Sequence, residues 1–211
     1  MHDLEQLKGA LIVGNWKTAA AATQAAIADG IAPLTIVTSH LMPAMEEVGR
    51  LFECEEYFVP EMLLSARAMK ASMEILRPLL ASTGARPVGR VVIGTVKGDL
   101  HDIGKNLVAA MLEGGGFEVI DLGADVAPEI FVETVVARNA ELVALSALLT
   151  VTMGWMKTTI EAFQAAGLRE KVKIMVGGAP ITQQYADMIG ADGFTDSAGS
   201  AVALARKLVA A

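Results

Sequence analysis

From residue 90 onward, the sequence alternates between short apolar runs, often β-branched, and longer segments whose apolar residues recur with helical spacing. The five short runs are RVVIGTV, FEVIDLG, LVALSALL, VKIMVGG and GFTDS. A run that is apolar throughout, such as LVALSALL, is typical of a strand buried on both faces of a parallel sheet. Because a helical segment follows each run, the pattern predicts an α/β fold: a five-stranded, doubly wound parallel sheet with helices on both faces.

Residues 1–86 carry helical patterns only. The predicted helices cover Leu4–Ile12, 18–30, Pro33 to about Phe52, and a segment that begins at Pro60. Four helices joined by short loops predict an all-α, four-helix bundle. The stretch 81–89 has the Gly, Ser and Pro typical of a linker. We therefore predict two domains, 1–86 and 87–211.

Composition and charge narrow the classes of function. The 211-residue chain has a formal net charge of −7 and no cluster of Lys or Arg, so we expect no nucleic-acid partner. Its one cysteine, Cys54, excludes an internal disulfide and a cysteine-based metal cage within one chain. No apolar run approaches the roughly 18 residues that span a bilayer, and the N-terminus lacks the basic start of a signal peptide. We expect a cytoplasmic protein with no membrane partner.

The residues that carry chemistry are concentrated in GTVKGDLHDIGKNLV, at 94–108. This stretch places Asp99, His101 and Asp102 between the first predicted strand and its helix, at the sheet edge where ligands of such folds bind. Asp102 directly precedes the helical residues, and we expect it to cap them. Asp99 stands two residues before His101, so its carboxylate can accept one ring N–H and fix the tautomer, as is usual for a metal-ligating histidine.

Other interpretations of this stretch are weaker. Its glycines and lysine resemble a phosphate loop, but five rather than four residues separate the glycines, and Asn106 replaces the Ser or Thr that binds Mg²⁺. The dinucleotide pattern G-x-G-x-x-G is absent after the first strand. A zinc site lacks ligands, because His2 and His40 lie in the helical half. A lone histidine is most often an ordinary surface residue, but the position of His101 favours a metal ligand.

Small residues mark the ends of other predicted strands. Ser146 and Thr150 lie on the apolar central run and need hydrogen-bond partners if buried, which a backbone carbonyl or the polar tail of a ligand can supply. Gly94, Gly177 and Gly178 have no side chains, so a large planar ligand or its tail can approach the backbone. A simple tight turn is the alternative for the Gly-Gly pair.

With DLHDIG, SALLT and VGG in this order, the sequence resembles corrinoid-binding proteins of the base-off/His-on type. The resemblance implies a Rossmann/flavodoxin-like sheet that binds cobalamin or a related corrinoid. It makes His101 the lower axial ligand of cobalt and places the nucleotide tail of the cofactor in a slot in the sheet. The residues that it assigns to the cofactor in this half are Gly98, Asp99, His101, Asp102, Ile103, Gly104, Ser146, Leu148, Thr150, Gly177, Gly178 and Ala198.

The stretch 41–71 resembles the cap bundle of the small methyltransferase corrinoid proteins and of cobalamin-dependent methionine synthase. The resemblance implies that residues 1–86 form a helical cap over the upper, methyl-bearing face of the corrin ring. By position, Phe52 and Val59 match the residues that contact the ring, with Tyr57 and Phe58 nearby.

The resemblance implies a non-catalytic methyl carrier. Cobalt(I) would accept a methyl group delivered by a substrate-specific methyltransferase, and a methylcorrinoid:tetrahydrofolate or coenzyme M methyltransferase would receive it. His101 would bind cobalt(III) and leave cobalt(I), Asp99 would modulate that step, and a reductive activase would be a further partner. The alternatives are a B12-dependent sensor or regulator, and the adenosylcobalamin-binding subunit of a mutase. The methyl donor is left open.

Overall fold

The computed structural model describes residues 4–82 and 87–210, apart from the side chain of residue 81. The chain divides into two compact units, one of Met1–Pro87 with Glu113–Gly116 and one of Val88–Leu112 with Phe117–Ala211. This division falls one residue beyond the predicted domain boundary. His2 and the central part of the predicted linker lie outside the described residues.

The first unit is helical. Its helices are α1 (Leu4–Ile12), α2 (Trp16–Ala28), α3 (Pro33–Ile36), α4 (Met42–Glu53) and α5 (Val59–Ser82). The Asn15 side chain caps α2 by accepting a hydrogen bond from the Thr18 N–H, and Pro33 stands in the first turn of α3. The buried side chains of this unit include Leu7, Leu11, Met45, Met62 and Met69, so several of the methionines fill its core.

The prediction of one continuous α-helix from Pro33 to Phe52 was wrong in one respect. A π-helical turn, Val37–Leu41, joins α3 to α4, and the Met42 N–H bonds to the carbonyl of Val37. Pro43 has no N–H to donate, and its ring conflicts with the carbonyl four residues earlier in an α-helix. The wider turn directly before Pro43 relieves that conflict and keeps the segment helical.

The second unit is an α/β sheet. Its strands are β1 (Arg90–Thr95), β2 (Glu118–Asp121), β3 (Leu142–Ser146), β4 (Lys173–Gly177) and β5 (Gly193–Thr195). Its α-helices are α6 (Ile103–Gly114), α7 (Pro128–Arg138), α8 (Gly154–Ala165), α9 (Gln183–Ile189) and α10 (Ala198–Val209). The sheet order is β2-β1-β3-β4-β5 and every pairing is parallel. The predicted fold class is confirmed, and the order reverses between β1 and β3, which is where such folds bind ligands.

Two details of the sheet differ from prediction. β3 ends at Ser146 rather than at residue 149, so Thr150 lies in the following loop and is exposed. Gly94 was interpreted as a site of ligand approach, but a Cβ there would stand 2.7 Å from the Phe131 ring. The missing side chain at Gly94 therefore admits a buried aromatic residue of α7, and the glycine serves packing within the unit.

Candidate metal-ligand site

The loop between β1 and α6 turns sharply at the carboxyl edge of the sheet. Gly98 adopts a φ of +79°, in the left-handed region that favours glycine. The Asp99 N–H bonds to the Val96 carbonyl at 3.1 Å, which closes the turn. The Thr95 hydroxyl then donates to the His101 carbonyl at 2.9 Å. These bonds tie the loop to the end of β1 and fix where its side chains point.

Asp99 is fully buried and both of its carboxylate oxygens accept hydrogen bonds. Oδ1 accepts from the His101 backbone N–H at 3.1 Å and lies 2.8 Å from His101 Nδ1. Oδ2 accepts from the backbone N–H of Leu148 at 2.8 Å and of Leu149 at 3.3 Å, and from the Thr152 hydroxyl at 2.6 Å. Asp99 therefore joins the loop after β1 to the loop after β3.

These bonds determine the ionisation of Asp99. Burial raises the pKa of the Asp99 carboxyl, but the hydrogen bonds from Thr152, Leu148 and His101 outweigh burial and hold this pKa well below its usual range. The carboxylate is therefore charged at neutral pH and can only accept hydrogen bonds.

The state of the His101 ring follows from that of Asp99. Because the carboxylate only accepts, Nδ1 of His101 must carry the proton in the 2.8 Å contact. In its neutral form the ring then has its lone pair on Nε2, and the side chain is 50% exposed. The contact expected from the sequence is present, and it prepares Nε2 to bind a metal from the solvent side.

Asp102 stands directly before α6, as expected. Its backbone carbonyl accepts the first helical bond, from the Asn106 N–H at 2.7 Å. The bond that the structure gives its side chain comes from the Asn106 side-chain amide, at 3.1 Å, rather than from the backbone N–H that capping predicted. Ile103 and Gly104 follow on the exposed first turn.

Exposed apolar side chains accompany His101 in the loops after β1 and β3 and at the start of α6. Leu100, Ile103, Leu148, Leu149 and Val151 expose between 41% and 83% of their surface. A Cβ at Gly104 would meet no described atom within 4 Å, so the start of α6 also leaves open space. Apolar side chains gathered at a ligand-binding edge are typical of a surface that a ligand covers.

A row of small residues crosses the carboxyl end of the sheet. The strand register aligns Thr95, Ser146, Gly177 and Thr195. Ser146 is half-buried, and a Cβ at Gly177 would stand 3.1 Å from the Thr195 carbonyl oxygen. The row leaves little side-chain volume at this edge, as a slot for the tail of a ligand requires.

Gly178 and Ala198 border this row. Gly178 has a φ of +132°, and a Cβ there would overlap the Ala147 carbonyl oxygen at 1.9 Å, so close backbone packing requires the glycine. Ala198 is buried as the first residue of α10, behind the N-cap Ser197. The hydroxyl groups of Ser197 and Ser200 lie 2.7 Å apart at the same helix start.

The predicted cap residues lie in the helical unit, where α4 ends and α5 begins. Phe52 and Val59 are half-buried, and Phe58 is 63% exposed. The Tyr57 hydroxyl donates to the Ile12 carbonyl at 3.2 Å, so Tyr57 holds this loop on α1. Contacts of Phe52 and Val59 with a cofactor stay predictions.

The sequence motifs do not predict the contacts of two residues of the site, Thr152 and Lys105. Thr152 bonds to Asp99 across a separation of 53 residues. Lys105 is buried, and its ammonium group lies 2.6 Å from Asp121 Oδ1 at the end of β2 and 2.6 Å from the Asn106 side-chain oxygen. Its ion pair fixes the start of α6 to the sheet. The rule that ligands bind beyond the carboxyl ends of strands places both residues at the right edge, without identifying their partners.

His101 contributes one imidazole nitrogen in apolar surroundings. That donor set fits a metal whose equatorial positions are filled by a flat macrocycle, because the macrocycle can rest on apolar side chains while the imidazole takes an axial position. Across residues 4–82 and 87–210, no helix has the length and hydropathy needed to span a membrane.

Comparison with known proteins identifies the family. Residues 89–205 match one B12-binding domain family, and residues 3–77 match a second. The dimethylamine corrinoid protein 1 of Methanosarcina acetivorans is 43% identical over 98% of this chain and 97% of its own length. The chain therefore belongs to the family of B12-binding corrinoid proteins.

Solved structures are also similar. A cobalamin-binding protein from Desulfitobacterium hafniense superimposes with a TM-score of 0.80 at 32% identity, covering 99% of both chains. A chain of the methanol:cobalamin methyltransferase complex from Methanosarcina barkeri gives a TM-score of 0.87 at 29% identity, covering 98% of this chain and 79% of that one.

Proposed function

We propose that this protein carries a methyl group on a corrinoid between two methyltransferases, with His101 as the lower axial ligand. The observation that carries the proposal is the oriented imidazole: Asp99, buried and charged, holds Nδ1 and directs Nε2 outward. The corrinoid, when bound, supplies a cobalt ion that takes up a methyl group and gives it away.

The protein residues set ligation and access. Asp99 accepts the Nδ1 proton of His101 and so fixes the tautomer of the ring, and hydrogen bonds from the Thr152 hydroxyl and the Leu148 N–H keep the carboxylate charged. Since Asp99 is itself held by Thr152, the carboxylate would keep the His101 ring in one tautomer whether or not a metal is bound to it. The exposed side chains of Leu100 and Val151 would give a bound macrocycle an apolar support.

The partners follow from this role. A substrate-specific methyltransferase would deliver the methyl group, and a methylcorrinoid:tetrahydrofolate or coenzyme M methyltransferase would receive it. A reductive activase would reduce cobalt that has become oxidised. The names of similar proteins, a dimethylamine corrinoid protein and a chain of a methanol:cobalamin methyltransferase complex, support a partner of the first kind. We place the protein in the cytoplasm, together with these enzymes.

Visible spectroscopy of the loaded protein tests the proposal. Apoprotein is mixed with hydroxocobalamin, and the spectra of wild type, His101→Ala and His40→Ala are compared. His40 is a matched control because it is the other described histidine and lies in the π-helical turn of the helical unit. Wild type and His40→Ala should show the same histidine-ligated, base-off spectrum, and His101→Ala should lose it. Identical spectra for wild type and His101→Ala would refute the assignment.

A further inference from the structure

Asp125, in the loop after β2, makes two hydrogen bonds with the turn that carries Asp99. Its Oδ1 accepts from the Gly98 N–H at 2.7 Å, and its backbone N–H donates to the Asp99 carbonyl at 2.9 Å. Asp125 thus holds both Gly98, at the start of the turn, and the backbone of Asp99. No sequence motif pointed to this contact.

The backbone of Asp125 is adapted to that contact. Its φ of +56° lies in the left-handed region, which Asp and Asn tolerate better than most residues that have a side chain. The next residue is anchored, because the Val126 N–H bonds to the Thr95 carbonyl at 3.0 Å and Val126 pairs with Val96 in a parallel bridge. The loop after β2 is therefore fixed against β1, and the hydrogen bonds of Asp125 hold the Gly98–Asp99 segment against this loop.

We propose that Asp125 is a positioning residue for the Asp99–His101 pair. The side chain of Asp99 is held from the other side by Leu148 and Thr152, so the bond from the Gly98 N–H to Asp125 Oδ1, which fixes the backbone of the turn, sets where Asp99 Oδ1 meets Nδ1 of His101. Loss of the Gly98–Asp125 bond lets the backbone of the turn shift while the Asp99 carboxylate stays bonded to Leu148 and Thr152. The shift weakens the hydrogen bond between Asp99 and His101. The inference deepens the proposed function, because the same bond orients the axial ligand.

Three variants separate the contributions of Asp125. Asp125→Gly keeps the left-handed backbone and removes the side-chain acceptor. Asp125→Asn keeps an acceptor oxygen and tolerance of the conformation while removing the charge, so it should behave as wild type. Asn139→Gly is the matched control, because Asn139 is another residue with a positive φ, 48°, at the end of α7.

The first measurement needs no cofactor. Nitrogen-15 NMR of the histidine rings in apoprotein, at alkaline pH where imidazole is neutral, reports which ring nitrogen carries the proton. Wild type, Asp125→Asn and Asn139→Gly should show His101 protonated at Nδ1. Asp125→Gly should shift part of the population to the Nε2-protonated tautomer. Unchanged His101 signals in Asp125→Gly, or an equal shift in Asn139→Gly, would overturn the proposal.

The second measurement follows the loaded protein. In Asp125→Gly mixed with hydroxocobalamin, the fraction with histidine ligation should fall as if the ligation constant were about tenfold smaller, at the low end of losses seen when the partner of a metal-binding histidine is disturbed. If wild type itself shows no histidine ligation, the proposed function fails, while the NMR result still decides the role of Asp125.

Discussion

Replacing Asp99 by asparagine removes the charge and one acceptor from a fully buried group. An amide has one acceptor oxygen, whereas the carboxylate accepts from His101 on Oδ1 and from Leu148, Leu149 and Thr152 on Oδ2. With its oxygen toward Leu148, the amide NH₂ faces the His101 backbone N–H and leaves that donor unpaired. Weakened charge-assisted bonds and one unpaired donor together predict a loss of about 3 kcal/mol in the free energy of unfolding.

The same substitution reverses the tautomer of His101. The new NH₂ group donates toward Nδ1, so Nδ1 must become the acceptor and the ring proton moves to Nε2. A protonated Nε2 has no lone pair for a metal. We therefore expect the histidine-ligation constant of bound cobalamin to fall roughly 10–100-fold, as is typical when the partner of a metal-binding histidine is lost.

Urea unfolding of the apoproteins and cobalamin spectroscopy measure these two effects. Because the pKa of the folded Asp99 carboxyl lies below its usual value, its stabilising contribution is fully present above the ordinary carboxyl pKa of about 4 and is lost as pH falls further. The part of the stability difference between wild type and Asp99→Asn that comes from the Asp99 charge should therefore shrink as the pH falls below about 4. A difference within about 0.5 kcal/mol at neutral pH, together with unchanged ligation, would refute the reasoning.

Substitutions at Thr152 and at the Lys105–Asp121 ion pair test the surroundings of the Asp99–His101 contact. Thr152→Val removes the hydroxyl that donates to Asp99 at 2.6 Å and should cost about 1.5–3 kcal/mol in unfolding free energy. Thr152→Ser keeps the hydroxyl and should retain histidine ligation better than Thr152→Val. Equal histidine ligation in the two variants would contradict the account. In the Lys105–Asp121 pair, Lys105→Met leaves a carboxylate that is 40% exposed and should cost about 1 kcal/mol in unfolding free energy. Asp121→Asn leaves an ammonium group that is 1% exposed without its counter-ion and should cost about 3–5 kcal/mol. Urea unfolding that reverses this order would show that burial does not govern the pair.

The fold was predictable because its signals are local. A parallel strand buried on both faces must be apolar along its length, and β1 and β3 show this in burial as well as in sequence. The contact between Asp99 and His101 was predictable for the same reason, since two residues of separation place it within one turn.

The rest of the site depends on contacts between loops that the sequence does not pair. Thr152 and Asp99 are 53 residues apart, and only the parallel register of β1 and β3 brings their loops together. Gly94 shows the converse: a glycine near a motif suggested ligand approach, but its reason is the ring of Phe131 in a helix of the same unit. The local sequence pattern indicates which edge of the sheet carries the functional residues. The packing of the loops decides which other residues hold them in place.

Electron paramagnetic resonance of cobalt(II) in the loaded protein tests the central claim most directly. The spectrum is split by the nucleus of the axial nitrogen, so nitrogen-15 labelling of the protein's histidines changes the splitting only if a histidine is the ligand. Labelled wild type should show a doublet in place of the triplet given by nitrogen-14, and labelled His101→Ala should lose the doublet. A triplet that persists in the labelled wild type would mean that the cofactor's own base, and not His101, binds the cobalt.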